Sequence, residues 1–203
     1  MTSMAEPAVG SKTDVRTIVG GGVKLGIATA IGVVVFALLS RALAGRTEVV
    51  VQSVLILVGG TVFAYAPAFW VRPRGVDAIA WAALVGLLGS VAFTVVDTIV
   101  LRPVNLYHWT WDAIGGGSGF WYISVWWMGS CFLAWLGAWV HSIAASRGGD
   151  VVSAALQTAG LSVVLFVVLT ASGLAPFHGA VAALAYALAL IVHVPLAAVM
   201  RVR

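Results

Sequence analysis

The side chains able to do chemistry in this 203-residue chain are few and widely spaced. Asp97 is an acid inside an otherwise apolar stretch; His108, His141, His178 and His193 supply the imidazoles; Ser118 sits in a Gly-Gly-Ser-Gly run; and Cys131 is the single thiol. A carboxylate among apolar residues is expensive to bury, so it is kept either as a proton or cation site or as half of an ion pair. Arg41 and Arg102 fall at a similar depth and no second acid accompanies Asp97, so the spacing favours a structural ion pair among Asp97, Arg41 and Arg102. His141 and His193 share one depth on the fourth and sixth apolar stretches, where two imidazoles on facing helices could clamp a haem b iron. The competing reading makes them hydrogen-bonded packing residues, with His193 donating to a carbonyl freed by Pro195. No carboxylate shares their spacing, so no metal site is expected. Asp97, His108, Ser118 and His178 gather toward the opposite end and are the candidates for catalysis there. Trp127, Cys131, Trp135 and Trp139 recur every four residues, which places them on one helical stripe. Indoles in such a stripe pack against a flat apolar cofactor (carotenoid, quinone or chlorin) or, more commonly, against lipid or a neighbouring subunit. The partners implied are membrane lipids and other membrane protein subunits.

Two partial family resemblances reach these residues. Gly116-Gly117-Ser118-Gly119, opening the fourth stretch, and His178, opening the sixth, resemble the GxSG serine and the later histidine of rhomboid intramembrane proteases. That resemblance implies Ser118 as nucleophile and His178 as its base, on a six-span fold. The chain departs from the family in its second stretch, which holds no histidine or asparagine for an oxyanion site. Asp97, Pro103, Trp109-Thr110-Trp111 and Phe132-Leu133-Ala134-Trp135 are similar, over about forty residues, to part of a membrane carotenoid-biosynthesis family. This second resemblance implies an enzyme acting on a lipid or isoprenoid, although the further acids of that family have no counterpart here.

What must position these residues is set by composition. Hydrophobic residues make up 62% of the chain and charged residues 9%, with a mean hydropathy of +1.07, against roughly 45–50% and about 25% in soluble proteins. The net charge of +4 is spread as single or paired basic residues between apolar runs, a pattern for lipid headgroups and not for nucleic acid. A helix needs about 20 apolar residues to cross roughly 30 Å of hydrocarbon, since lipid satisfies no backbone polar group. Six stretches qualify, at about 18–43, 49–71, 78–101, 120–145, 151–174 and 179–200, behind a polar tail over 1–17 with no cleavable leader pattern. The breaks hold Gly45-Arg46-Thr47-Glu48, Arg72-Pro73-Arg74-Gly75, Arg102-Pro103, Arg147-Gly148-Gly149-Asp150 and Ala175-Pro176-Phe177-His178.

Lys12, Arg16, Lys24, Arg72, Arg74, Arg147, Arg201 and Arg203 fall on the side of the N-terminus, with Arg41, Arg46 and Arg102 opposite. The excess of positive charge predicts both termini in the cytoplasm, in a membrane of bacterial inner-membrane type. Gly22, Gly26, Gly86 and Gly89 allow close helix packing, and Pro67 and Pro195 loosen their helices. The expectation is an all-α polytopic membrane protein, a bundle of about six transmembrane helices with both termini inside. Loops this short leave no room for a soluble catalytic module. Three functions compete: a non-catalytic accessory or scaffold subunit of a larger membrane complex, a membrane enzyme, and a small transporter or haem-b electron-transfer subunit.

Overall fold

A computed structural model describes residues 14–71, 76–104, 106 and 121–199. The described residues form six α-helices and no strand: α1 (Val15–Ala42), α2 (Gly45–Trp70), α3 (Val76–Val96), α4 (Trp121–Ala145), α5 (Val151–Ala171) and α6 (Gly179–Val199). Each is long and apolar enough to cross a membrane. The fold is that of a multi-pass integral membrane protein, a six-helix bundle.

Local chemistry explains where the helices begin and end. The Asp14 side chain accepts from the backbone N–H of Arg16, so α1 starts at Val15 and takes in three residues assigned above to the tail. Arg46, Thr47 and Glu48 are not a break either; they form the first turn of α2. Gly45, at φ 65°, makes the tight reversal that lets α2 begin so early. At the far end of α5, Gly173 takes φ 74° and the Ala175 N–H reaches back to the Leu169 carbonyl. This left-handed closure ends the helix at Ala171 and leaves Leu174 outside it. Asp150 caps α5, its side chain accepting from the Ser153 N–H at 2.6 Å.

Past Val96, α3 passes directly into a π-helical turn, Asp97–Leu101. There the Arg102 N–H bonds the Asp97 carbonyl five residues back at 2.9 Å.

α1 packs chiefly on α3, α3 also on α4, and α5 on α6, while α2 touches all the others. α1 and α5 therefore occupy opposite flanks, with α2 and α4 between them. The close approaches are made by absent side chains. A Cβ on Gly26 would fall 2.7 Å from the Gly89 carbonyl oxygen, and one on Gly137 would overlap the Ala64 carbonyl. The main core joins α2, α4, α5 and α6 through Ala64, Tyr65, Leu136, Val140, Ala154, Tyr186 and Leu190.

Candidate functional site

Three groups of functional side chains emerge from this packing. The first is at the end of the bundle that carries the α1–α2 and α5–α6 connections. Asp97 is buried, and its Oδ2 accepts from Arg102 Nε at 3.1 Å. Its Oδ1 is buried with no hydrogen-bond partner among the described residues. An α-helical i to i+5 pair points its side chains well apart; the wider π turn closes that angle and lets the pair form. Arg41 belongs to the last turn of α1. Beside the turn, Ile27, Ala30, Ile31, Val34, Val35, Val96 and Leu101 line an apolar groove of about 310 Å³. His178 is exposed at the start of α6, its Nδ1 accepting from the Ala180 N–H at 3.1 Å, so the ring serves as a helix cap. Ser118 and His108 lie outside the described residues, as do Trp109 and Trp111. The geometry of the serine–histidine resemblance therefore falls outside the described structure as well.

The second group is on α4. Trp127 donates through Nε1 to the Thr94 hydroxyl at 3.2 Å, facing α3. Trp135 and Trp139 turn away: both are 37% exposed, with ring centroids 5.3 Å apart, and Phe132 extends the stack at 5.7 Å. A four-residue step overshoots the 3.6-residue turn by about 40°, so the stripe spirals from the α3 interface at Trp127 onto the open face at Trp139. Cys131 is half-buried on the same helix.

The third group lies inside the bundle. Tyr65 on α2 shares a hydrogen bond of 2.5 Å with Thr158 on α5, whose hydroxyl is 2.8 Å from Nδ1 of His193 on α6. All three residues are buried, Thr158 completely. Tyr186 is buried next to them, and its hydroxyl makes no well-formed hydrogen bond among the described residues. His193 thus turns Nδ1 toward α5. His141, with its buried Nδ1 unpartnered, lies in electrostatic reach of Asp150. α4 and α6 are neighbours, and Leu136, Val140, Tyr186 and Leu190 fill their contact. Among the described residues no three His, Cys, Asp or Glu side chains converge as metal ligands do.

Sequence reasoning passed over Tyr65, Thr158 and Tyr186. Two mid-span tyrosines were a signal, because a phenol in a dry interior wants a partner. Thr158 offered none, since a threonine commonly satisfies itself on its own helix backbone.

Fold and sites together define a multi-pass membrane protein with a paired carboxylate at one end, an aromatic outer face and a buried polar chain across three helices. Comparison with known protein families, curated proteins and solved structures returns no match.

Proposed function

We propose that this chain is a non-catalytic accessory or scaffold subunit of a larger membrane complex and that it meets its partner through the aromatic face of α4. The supporting observation is the Phe132–Trp135–Trp139 stack, exposed by 44%, 37% and 37%. At 1.5 Å per residue, Trp139 and Trp135 lie about 9 Å and about 15 Å from the end of α4 at Ala145. Neither indole N–H has an acceptor among the described residues. A donor left bare at that depth is costly in hydrocarbon, and a partner helix, or a pigment carrying an oxygen, relieves the cost. Gly129, one turn before Phe132 on the same face, has open space where its side chain would be, room for a second backbone to approach. The distribution of Lys and Arg supports cytoplasmic termini and an inner-membrane location of bacterial type.

The test is the size of the particle in mild detergent, read before and after Trp135→Ala with Trp139→Ala. A complex larger than one chain that falls to the monomer in the double variant is expected. A well-behaved solitary monomer of the unaltered protein, freshly extracted from its native membrane, would falsify the subunit reading. An absorption spectrum of the same preparation separates the occupants, a visible band marking a carotenoid or chlorin and a Soret band a haem.

A further inference from the structure

The buried polar chain is separate from the aromatic face of α4. Thr61 and Tyr65 are one turn apart on α2, as are Thr158 and Ser162 on α5, while Tyr186 and His193 are two turns apart on α6. The seam between α2 and α6 is tight: a Cβ on Gly60 would fall 3.1 Å from the Tyr186 ring. The Tyr186 hydroxyl lies in loose hydrogen-bonding range of Thr61 and in electrostatic reach of Tyr65, with no well-formed hydrogen bond among the described residues.

We propose that Tyr65, Thr158 and His193 form a proton relay along the α2–α5–α6 seam, and that the Tyr186 hydroxyl extends it toward the middle of the bundle. Every link is a group that both donates and accepts. The two hydrogen bonds, 2.5 Å and 2.8 Å, are short enough for a proton to pass. In one arrangement the Tyr65 O–H donates to Thr158 and the Thr158 O–H donates to an unprotonated Nδ1 of His193. In the other the Nδ1–H donates to Thr158 and the Thr158 O–H donates to Tyr65. One transfer converts the first into the second: Tyr65 accepts a proton from the Tyr186 side, its own proton moves to Thr158, the Thr158 proton moves to Nδ1, and the imidazolium so formed releases its Nε2 proton. One proton enters, one leaves and no group keeps a charge.

A clamp between helices needs only fixed bonds. A chain of exchangeable donors ending in a 98% buried phenol with no well-formed hydrogen bond among the described residues has the form of an interrupted wire.

Both ends of the seam have groups that meet water. At the α4–α5 end, the titratable groups on the elements packed against α6 near His193 are Tyr65 on α2, His141 on α4 and Asp150 at the start of α5, the last two within electrostatic reach of each other. At the opposite end of α2, Gln52 donates to Glu48 and to Ser40 on α1 and lies against Gly179 of α6. Between Ser53, whose buried hydroxyl has no hydrogen-bond partner among the described residues, and Thr61 the seam is apolar: Ile56 faces the start of α6 and Leu57 packs on the core. Crossing these two residues is the slow step.

The experiment measures proton entry into vesicles of neutral phospholipid containing the full chain and an internal pH-sensitive dye, driven by a potassium gradient with valinomycin. Flux above protein-free vesicles is expected, reduced at least tenfold by Thr158→Val and by His193→Phe, restored by Thr158→Ser, and raised by Ile56→Ser. Each variant is first checked for a monodisperse, helical particle, and Thr158→Ser keeps the test open should Thr158→Val fail to fold. Flux no greater than in protein-free vesicles, or a folded Thr158→Val that conducts like the unaltered chain, overturns the proposal. Neither outcome touches the subunit reading, which rests on the exposed aromatic face of α4.

Discussion

Arg102 reaches back five residues to donate to Asp97 at 3.1 Å, and the π turn between them is what makes the contact. Removing the arginine alone strands a carboxylate whose side chain is 5% exposed. Arg102→Gln is therefore expected to cost about 2 kcal/mol, less than the roughly 3–5 kcal/mol of fully buried pairs, because the arginine side chain is 37% exposed. Asp97→Asn together with Arg102→Gln should regain most of that loss. Thermal unfolding in detergent reads the difference as roughly 2–4 °C per kcal/mol for a chain of this size. Equal losses in the single and double variants would show that the pair is not coupled.

Thr158 is the shared partner of two buried groups, so its loss leaves both unsatisfied. Thr158→Val keeps shape and volume but should destabilise the bundle by about 1–3 kcal/mol, while Thr158→Ser stays close to the unaltered protein. In a double-mutant cycle with Tyr65→Phe, the coupling energy is expected to exceed about 0.5 kcal/mol. Additive losses would mean that the hydroxyls do not depend on each other.

Close approach of α2 and α4 depends on Gly137, whose missing side chain admits the Ala64 carbonyl. Gly137→Val should overpack this contact and cost about 1–3 kcal/mol. Gly160 on α5 has no atom within 4 Å of where a Cβ would be. Gly160→Ala is thus expected to cost nothing, or to gain up to about 1 kcal/mol from helix propensity. The two variants, compared in the same unfolding assay, separate packing from propensity.

Trp127 ties α4 to α3 through the Thr94 hydroxyl, which itself donates to the Ser90 carbonyl at 2.8 Å. Trp127→Phe keeps an aromatic ring but loses the pyrrole half of the indole with its N–H, at an expected cost of about 1–2 kcal/mol. Trp135→Phe removes an indole N–H that has no acceptor among the described residues, so the isolated protein should not change in stability. Chemical unfolding of the two variants side by side measures the contrast.

Much of the architecture was legible because lipid leaves little choice. A run of some twenty apolar residues must close its own hydrogen bonds as a helix, so the spans could be counted and placed to within a few residues. Where the boundaries moved, the cause was local chemistry that hydropathy does not weigh. Arg46, Thr47 and Glu48 look like a polar break, yet Gly45 reverses the chain and α2 absorbs them as its first turn. Asp97 and Arg102 stood out as charges at similar depth, but the π turn that joins them has no signature in residue type.

By itself the sequence determined that this chain crosses a bilayer as six helices, and which few residues carry polar or ionisable groups into it, because the cost of exposing apolar surface to water and backbone to lipid depends only on composition along the chain. Tertiary structure alone decided which of those groups meet. Tyr65, Thr158 and His193 are separated by 93 and 35 residues and come together only through the packing of α2, α5 and α6. The same packing turned Trp127 inward and left Trp135 and Trp139 facing out, since helix rotation is set by which neighbours a side chain finds and not by its spacing along its own helix.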